Sequence, residues 1–153
     1  MIDWINPQSP ITEHFTVRDA LWLNQWGRLA NRGDGLTDAT LANIVKTAAW
    51  MEKVRGLIGR PIFVRSWYRS RSYNVAIGGA KYSQHMEGNA IDWWTDVDGD
   101  GDKDGGDCDQ LKALLKPPLV SLGLRMEDNG AGARWIHLDD KPVAPGGRRF
   151  FKP

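Results

Sequence analysis

Apolar residues recur at helical spacing over one long stretch of the chain. The residues that would share one face of this helix are Leu41, Ile44, Val45, Ala48 and Met51. Such spacing is typical of an amphipathic helix whose apolar face lies in the core. Thr37 is a favourable N-cap, and Gly59 followed by Pro61 ends a helix. The pattern therefore predicts a long helix that opens at Thr37 and runs to about Ile58.

Two shorter helices are predicted on either side of the long one. Thr16 followed three residues later by Asp19 forms a capping-box pattern, which predicts a first helix running to about Trp26. In the second half of the chain, residues 107–115 can form a short helix that the prolines at 117–118 would stop.

Several short segments have the composition of β-strands. Residues 62–64 are apolar and partly β-branched, residues 89–95 and 134–139 are further strand candidates, and residues 150–151 are expected to close the sheet or cover an edge. The polar, glycine-containing residues 68–84 are predicted to form an ordered loop. This order predicts an α+β fold, with N-terminal helices packed on a small, mostly antiparallel sheet.

Length and composition are those of one soluble globular domain spanning residues 1–153. The chain has 41% hydrophobic and 25% charged residues, and no apolar run approaches the roughly 18 residues of a membrane span. The amino-terminal residues lack the basic and apolar regions of a secretory signal, so we expect synthesis in the cytoplasm without a signal peptide. Cys108 is the single cysteine, which excludes a disulfide framework. We also expect the protein to be a monomer.

The net charge of +1 conceals an uneven distribution along the chain. Residues 92–109 carry eight aspartates and one lysine, whereas the rest of the chain carries 19 basic and 11 acidic side chains. Such a basic body would suit an anionic polymer such as a cell wall, although a solvated mixed surface explains it equally well. The chain contains nothing that resembles a dedicated nucleic-acid-binding motif, so we expect no nucleic-acid partner.

Two segments, residues 83–92 and 135–139, contain the residues best suited to bind a metal. They supply His85, Asp92 and His137, and the whole chain has only three histidines. Two imidazoles, one carboxylate and an open position are typical of catalytic zinc, whereas structural zinc sites are closed and usually rich in cysteine. We therefore predict a zinc site formed by these three residues.

The same segments resemble a known family. The pattern Ser-x-His-x-x-Gly-x-Ala-x-Asp at residues 83–92, followed by Trp-x-His at 135–137, is similar to that of the zinc D-Ala-D-Ala carboxypeptidases. That family includes phage and bacterial endopeptidases, such as L-alanyl-D-glutamate endopeptidases, and shares a fold with the hedgehog signalling domain. The resemblance implies a zinc peptidase that acts on peptidoglycan stem peptides, like a phage endolysin that reaches the cell wall after release by other means.

The general base is where this chain departs from the pattern. Many relatives place a carboxylate three residues before the second histidine, and Arg134 stands there in this chain. Glu127 and Asp128, predicted to lie on a glycine-rich loop, are the favoured candidates. Asp139 is the third candidate, although a position beside a ligand also suits support of a histidine.

Three further residues are candidates for substrate contact. Arg69 lies in the segment Trp-Tyr-Arg-Ser and matches the arginine with which the family's carboxypeptidases hold a substrate carboxylate. Ser83 belongs to the motif, although bonding the local backbone of a turn is an equally good role for it. On a strand, Trp94 rather than Trp93 would face the same side as Asp92.

A second metal site is predicted at residues 96–107, which fit the twelve-residue calcium loop. Its acidic positions are occupied by Asp96, Asp98, Asp100, Asp102, Asp104 and Asp107. Gly101 stands at the sixth position, where the loop turns sharply, but Asp107 is shorter than the usual glutamate and Lys103 replaces an apolar residue. We expect weak calcium binding that orders the loop and thereby supports Asp92.

Three functions remain open at this point. The first is a zinc peptidase acting on peptidoglycan, with endopeptidase cleavage slightly favoured although Arg69 argues for carboxypeptidase cleavage. The second is a non-catalytic zinc-containing binding module of the same fold, because Arg134 occupies the usual base position. The third is a virion structural protein stabilised by calcium.

Overall fold

The computed structural model describes residues 1–102 and 104–153, so the predicted loop position Lys103 lies outside the described residues. The chain opens with a short helix, α1 (Val17–Leu21), and a hairpin of β1 (Trp22–Leu23) and β2 (Arg28–Leu29). The predicted capping box is confirmed, because Thr16 and Asp19 bond to each other's backbone N–H groups. The predicted extension to Trp26 is wrong: Leu21 and Leu23 are both buried, so burial two residues apart favours extended chain over helix.

The long helix α2 (Asp38–Ile58) has the predicted limits. Thr37 accepts a hydrogen bond from the Thr40 N–H, and Gly59 ends the helix in the left-handed conformation at φ +68°. Four of the five predicted face residues are buried, but Val45 is exposed, because its position lies at the margin of the apolar face. The buried face also includes Thr40, Thr47, Trp50 and Val54, so it is wider than the predicted face and lies further round the helix, away from Val45.

The main sheet combines five strands. They are β3 (Phe63–Ser66), β4 (Ala90–Trp94), β5 (Arg125–Glu127), β6 (Ile136–Asp139) and β7 (Phe150–Phe151). Their order is β3-β4-β6-β5-β7, with antiparallel pairing except between β5 and β7. The predicted mostly antiparallel sheet is confirmed, and β4 and β6 lie side by side at its centre.

Three short helices connect the strands. The segment predicted as a loop contains α3 (Arg71–Ala76), because Ser70 caps its first turn by accepting a hydrogen bond from the Tyr73 N–H. After β4 the acidic loop leads into α4 (Gly105–Leu115), which has the predicted end, and α5 (Leu119–Leu122) follows the two prolines. The structure is thus of the α+β class.

The core lies between the helices and the sheet. Its largest fully buried side chains include Trp67, Trp93 and Phe15, and Cys108 is a buried free thiol. Within residues 1–102 and 104–153, none of the helices combines the length and apolar character needed to cross a bilayer.

Candidate metal centre

The three predicted ligands lie together at the centre of the sheet. His85 belongs to a 3₁₀ turn, Gln84–Glu87, while Asp92 on β4 and His137 on β6 are direct cross-strand partners. The Asp92 Oδ1 atom lies 3.2 Å from His85 Nε2 and 2.8 Å from His137 Nδ1. One potential ligand atom from each residue lies within 4.8 Å of the other two. The turn and the sheet register thus bring together residues that are far apart in sequence.

His85 is oriented by the backbone. Its Nδ1 atom lies 2.7 Å from the carbonyl oxygen of Trp67, and a carbonyl only accepts, so Nδ1 must carry the hydrogen. The Nε2 lone pair then faces Asp92. Burial lowers the pKa of His85, although Asp92 opposes that effect. The imidazole is therefore neutral and presents the form that binds a metal.

His137 is oriented by two carboxylates. Its Nδ1 atom faces Asp92, and its Nε2 atom lies 3.2 Å from Asp139 Oδ2. Burial alone would lower the pKa of His137, but the hydrogen bonds to Asp139 and Asp92 outweigh it and raise the pKa to about 9. Burial would likewise raise the pKa of Asp92, but its interactions with His85 and the hydrogen bond to His137 hold that pKa well below its usual range. Metal binding here must therefore displace a proton from His137.

The turn that contains His85 packs closely against α2. The Gly88 carbonyl accepts hydrogen bonds from Thr47 Oγ1 at 2.9 Å and from Trp67 Nε1 at 3.2 Å. Gly88 has φ +77°, and a Cβ atom there would lie 2.9 Å from Ile44 Cγ1 and 3.0 Å from the Thr40 carbonyl oxygen. Both the backbone conformation and the close approach of α2 thus explain the glycine in the first motif.

These residues fit zinc. Tetrahedral zinc with bonds of about 2.0–2.1 Å places ligand atoms roughly 3.3 Å apart. His85 Nε2 lies 3.2 Å from Asp92 Oδ1, close to that spacing, while His137 Nδ1 lies at the 2.8 Å of a hydrogen bond to the same oxygen. Both imidazoles have their other nitrogen engaged by an acceptor, as zinc-binding histidines usually do. Each of the three residues is more than 90% buried, so all three side chains are already in place at the site.

The predicted ligands open onto a cavity of about 380 Å³. Arg69 lines it and donates from Nη2 to Asp92 Oδ2 at 2.5 Å and from Nε to Ser66 Oγ at 2.9 Å. Ser83 also lines the cavity, while its hydroxyl accepts a hydrogen bond from the His85 N–H at 3.3 Å. Both predicted residues therefore lie in the cleft, and both also support a predicted ligand.

Trp94 occupies a different place from the one predicted. Its ring stacks on Phe63 with centroids 4.5 Å apart, and it is not among the described residues that line the cavity. Trp135 lines the cavity instead, with the Arg65 guanidinium 4.4 Å above its ring. Strand alternation correctly predicts a shared face for Trp94 and Asp92 but says nothing about how far the cleft extends along it.

The three candidate bases have different environments. Glu127 lies on β5 rather than on the predicted loop, is half-buried, and lines the cavity. Burial raises the pKa of its carboxyl group, with His137 opposing, and a raised pKa suits a general base. Asp128 is absent from the cavity lining of the described chain, and its Oδ1 accepts from the Gly130 N–H. Asp139 is buried and ion-paired with Arg125.

Arg125 is a charged cleft residue that the sequence analysis did not predict. It lies directly opposite Asp139 in the sheet and shares a face with Glu127, two residues further along β5. The signal was weak because β5 has only three residues and follows a glycine. Arg134, which occupies the usual base position, is exposed and is not one of the described cavity residues.

In the acidic loop, some of the aspartate carboxylates lie close together in two groups of three. Asp96, Asp98 and Asp107 place one oxygen each within 4.8 Å of one another, and Asp102 and Asp104 form a second such group with Asp107. Asp107 is buried and accepts a hydrogen bond from the Val97 N–H at 2.7 Å. The neighbouring charges, that of Asp100 foremost, raise the pKa of Asp102.

Comparison with known proteins yields one match. A family model described as Peptidase M15 matches residues 24–103, just over half of the 153 residues. The matched range includes Arg69, His85 and Asp92 and ends before His137. Neither the curated proteins nor the solved structures gave a significant match.

Proposed function

The chain belongs to the peptidase M15 family, whose members are zinc-dependent peptidases, and on that premise we propose that it hydrolyses the stem peptides of peptidoglycan. One observation carries the proposal: His85, Asp92 and His137 converge on the cavity that Glu127 also lines. A zinc ion held by these three residues would polarise the scissile carbonyl and activate a water molecule. The chain's own residues would then bind the peptide and move the protons.

Glu127 is the general base of this proposal. Its carboxylate would take a proton from the attacking water and return it to the leaving amine. Burial raises its pKa, which makes the carboxylate a better acceptor for the proton of the attacking water. Asp139 is unsuited to the role, because its oxygens accept hydrogen bonds from Arg125, His137 and the Lys141 N–H.

Peptidoglycan as substrate rests on the motif resemblance. Within that substrate class the structure favours endopeptidase cleavage over carboxypeptidase cleavage, because Arg69 already donates from two nitrogens to Asp92 and Ser66. A guanidinium so engaged has less capacity to hold a terminal carboxylate by two parallel bonds. An endolysin-like monomer that is made in the cytoplasm and acts on the wall after release completes the proposal.

Amide substitutions at the two adjacent acids test the proposal. Wild type, Glu127→Gln and Asp128→Asn are compared for zinc content and for clearing of purified cell walls. We expect all three to hold one zinc ion per chain, Glu127→Gln to lose about 10²–10⁴-fold in turnover, and Asp128→Asn to remain close to wild type. Full activity in Glu127→Gln would remove Glu127 from the mechanism.

A non-catalytic binding module is the second candidate, favoured by Arg134 at the usual base position. The location of Arg134 outside the described cavity lining weakens this reading, since Glu127 occupies the cavity instead. A folded wild type that takes up zinc and sediments with cell walls without cleaving them would establish the binding module.

We also propose that residues 96–107 bind calcium and thereby support the cleft. The support is the loop pattern together with the approach of Asp96, Asp98 and Asp107. Asp107 belongs to the first turn of α4, and α4 contacts the loop between β5 and β6 through Lys112 Nζ, which donates to the Gly130 carbonyl at 2.6 Å. Order in the acidic loop can therefore reach both Asp92 and the segment that follows Glu127.

A further inference from the structure

We propose that Arg125 and Asp139 form a positioning pair that fixes the ring of His137 so that Nδ1 faces the metal. The inference rests on the proposed zinc role of His137 and extends it to two residues that do not touch the ion. Arg125 and Asp139 are cross-strand partners on β5 and β6. His137 lies two residues before Asp139 on β6, so both side chains point to the same face.

Arg125 and Asp139 form a bidentate ion pair. Arg125 Nε donates to Asp139 Oδ1 at 2.8 Å, and Arg125 Nη2 donates to Asp139 Oδ2 at 2.7 Å. Two parallel bonds between a planar guanidinium and a carboxylate define the orientation of both groups. Asp139 is only 1% exposed, so solvent does not compete for its oxygens.

The carboxylate in turn determines which nitrogen of His137 carries the hydrogen. Asp139 Oδ2 lies 3.2 Å from His137 Nε2, and an ionised carboxylate can only accept. Nε2 must therefore donate, so the proton that a metal would displace is the one on Nδ1, which faces Asp92. The two parallel hydrogen bonds from the guanidinium of Arg125 pair Asp139 with a permanent positive charge and hold it as the accepting carboxylate.

Arg125 also reaches His137 by a second route. Its guanidinium lies 4.2 Å from the centroid of the Phe151 ring, and that ring meets His137 edge-on with centroids 6.2 Å apart. Loss of Arg125 would leave Asp139 as a buried carboxylate without its cation, which is costly. We expect the Asp139 carboxylate to shift, and His137 to lose its defined orientation.

Zinc affinity measured without substrate tests the pair. The variants are Arg125→Gln, Arg125→Lys and Asp139→Asn, and the matched control is Asp140→Asn, which removes the adjacent Lys46–Asp140 ion pair at the surface. Residues that orient a metal ligand typically contribute 10–100-fold to affinity. We expect losses of about that size in Arg125→Gln and Asp139→Asn, an intermediate loss in Arg125→Lys because lysine lacks the fork, and no loss in Asp140→Asn.

Nitrogen-15 spectra of the histidines in the zinc-loaded proteins provide a readout that a merely structural role would not change. Wild type should show His137 protonated at Nε2 only, and Asp139→Asn should show this signal shifted or broadened, while His85 is unchanged. Folded variants with wild-type zinc affinity and an unchanged His137 signal would overturn the inference. Because neither measurement uses cell walls, failure of the pair and failure of the proposed hydrolase role are distinguishable.

Discussion

The two imidazoles of the candidate zinc site are held by different means. His85 is oriented by the backbone carbonyl of Trp67, whereas His137 is oriented by the side chain of Asp139, which Arg125 holds in turn. A backbone carbonyl is present whatever side chain the residue bears. The His85 half should therefore tolerate side-chain changes as long as the turn keeps its place, while the His137 half depends on the identity of two charged residues.

The His85 half depends instead on close packing. The carbonyl of Gly88 receives hydrogen bonds from both α2 and Trp67, and Gly88 has no room for a side chain. This half resembles a protein core, in which small changes of volume are costly. The comparison predicts that packing mutations weaken one half and charge mutations weaken the other.

Among these variants, we expect Gly88→Ala, in the His85 half, to lower the free energy of unfolding the most. The new Cβ would overlap Ile44 and the Thr40 carbonyl, which costs about 1–3 kcal/mol of folding free energy. Left-handed strain adds roughly 1–2 kcal/mol. Gly123→Ala is the matched control, because Gly123 has φ +70° but no atom within 4 Å of the added Cβ. Denaturant unfolding should show a greater loss in Gly88→Ala than in Gly123→Ala; equal losses would mean that α2 does not press on the turn.

Trp67→Phe separates the two halves. The change removes the indole N–H that donates to Gly88 and leaves a small cavity, which should lower the free energy of unfolding by about 1–3 kcal/mol. The Trp67 carbonyl that orients His85 remains. Zinc affinity should then stay within about threefold of wild type, in contrast to the 10–100-fold loss expected for Arg125→Gln. Equal zinc losses in the two variants would contradict the comparison.

The smallest expected effect concerns calcium, which would act on both halves from a distance. Titration calorimetry of the zinc-loaded protein should detect calcium uptake at up to about millimolar concentration, and Asp96→Asn with Asp98→Asn should abolish it. A calcium chelator that spares zinc should lower turnover modestly. No heat of binding in the wild type would remove the calcium site, and unchanged turnover would remove its influence on the cleft.

The difference between the halves also explains what could be predicted from the sequence. Helix α2 was predictable because its signals, Thr37 and Gly59, are local. The three candidate ligands could be predicted because histidine is rare in this chain and the motif around His85 has five defined residues within ten positions. Nothing local indicates β5, whose pairing partners Leu138 and Phe150 lie further along the chain.

The wrong end of α1 has the same origin, because it depends on a hairpin whose burial is decided by the rest of the fold. Helix α3 is different, because its cap from Ser70 is a local signal that the sequence interpretation missed. The role of Arg125 follows only from its register opposite Asp139. The side of the site that is built from tertiary pairing was therefore beyond the reach of sequence patterns.

Mass spectrometry of cell-wall fragments tests the central claim most directly. Purified peptidoglycan is incubated with the zinc-loaded wild type and with His137→Ala, and the new termini are identified. We predict that the wild type releases fragments cut at one type of stem-peptide bond and that His137→Ala releases none. Intact walls after incubation with a folded, zinc-loaded wild type, or equal release by His137→Ala, would contradict the assignment as a zinc peptidase of the cell wall.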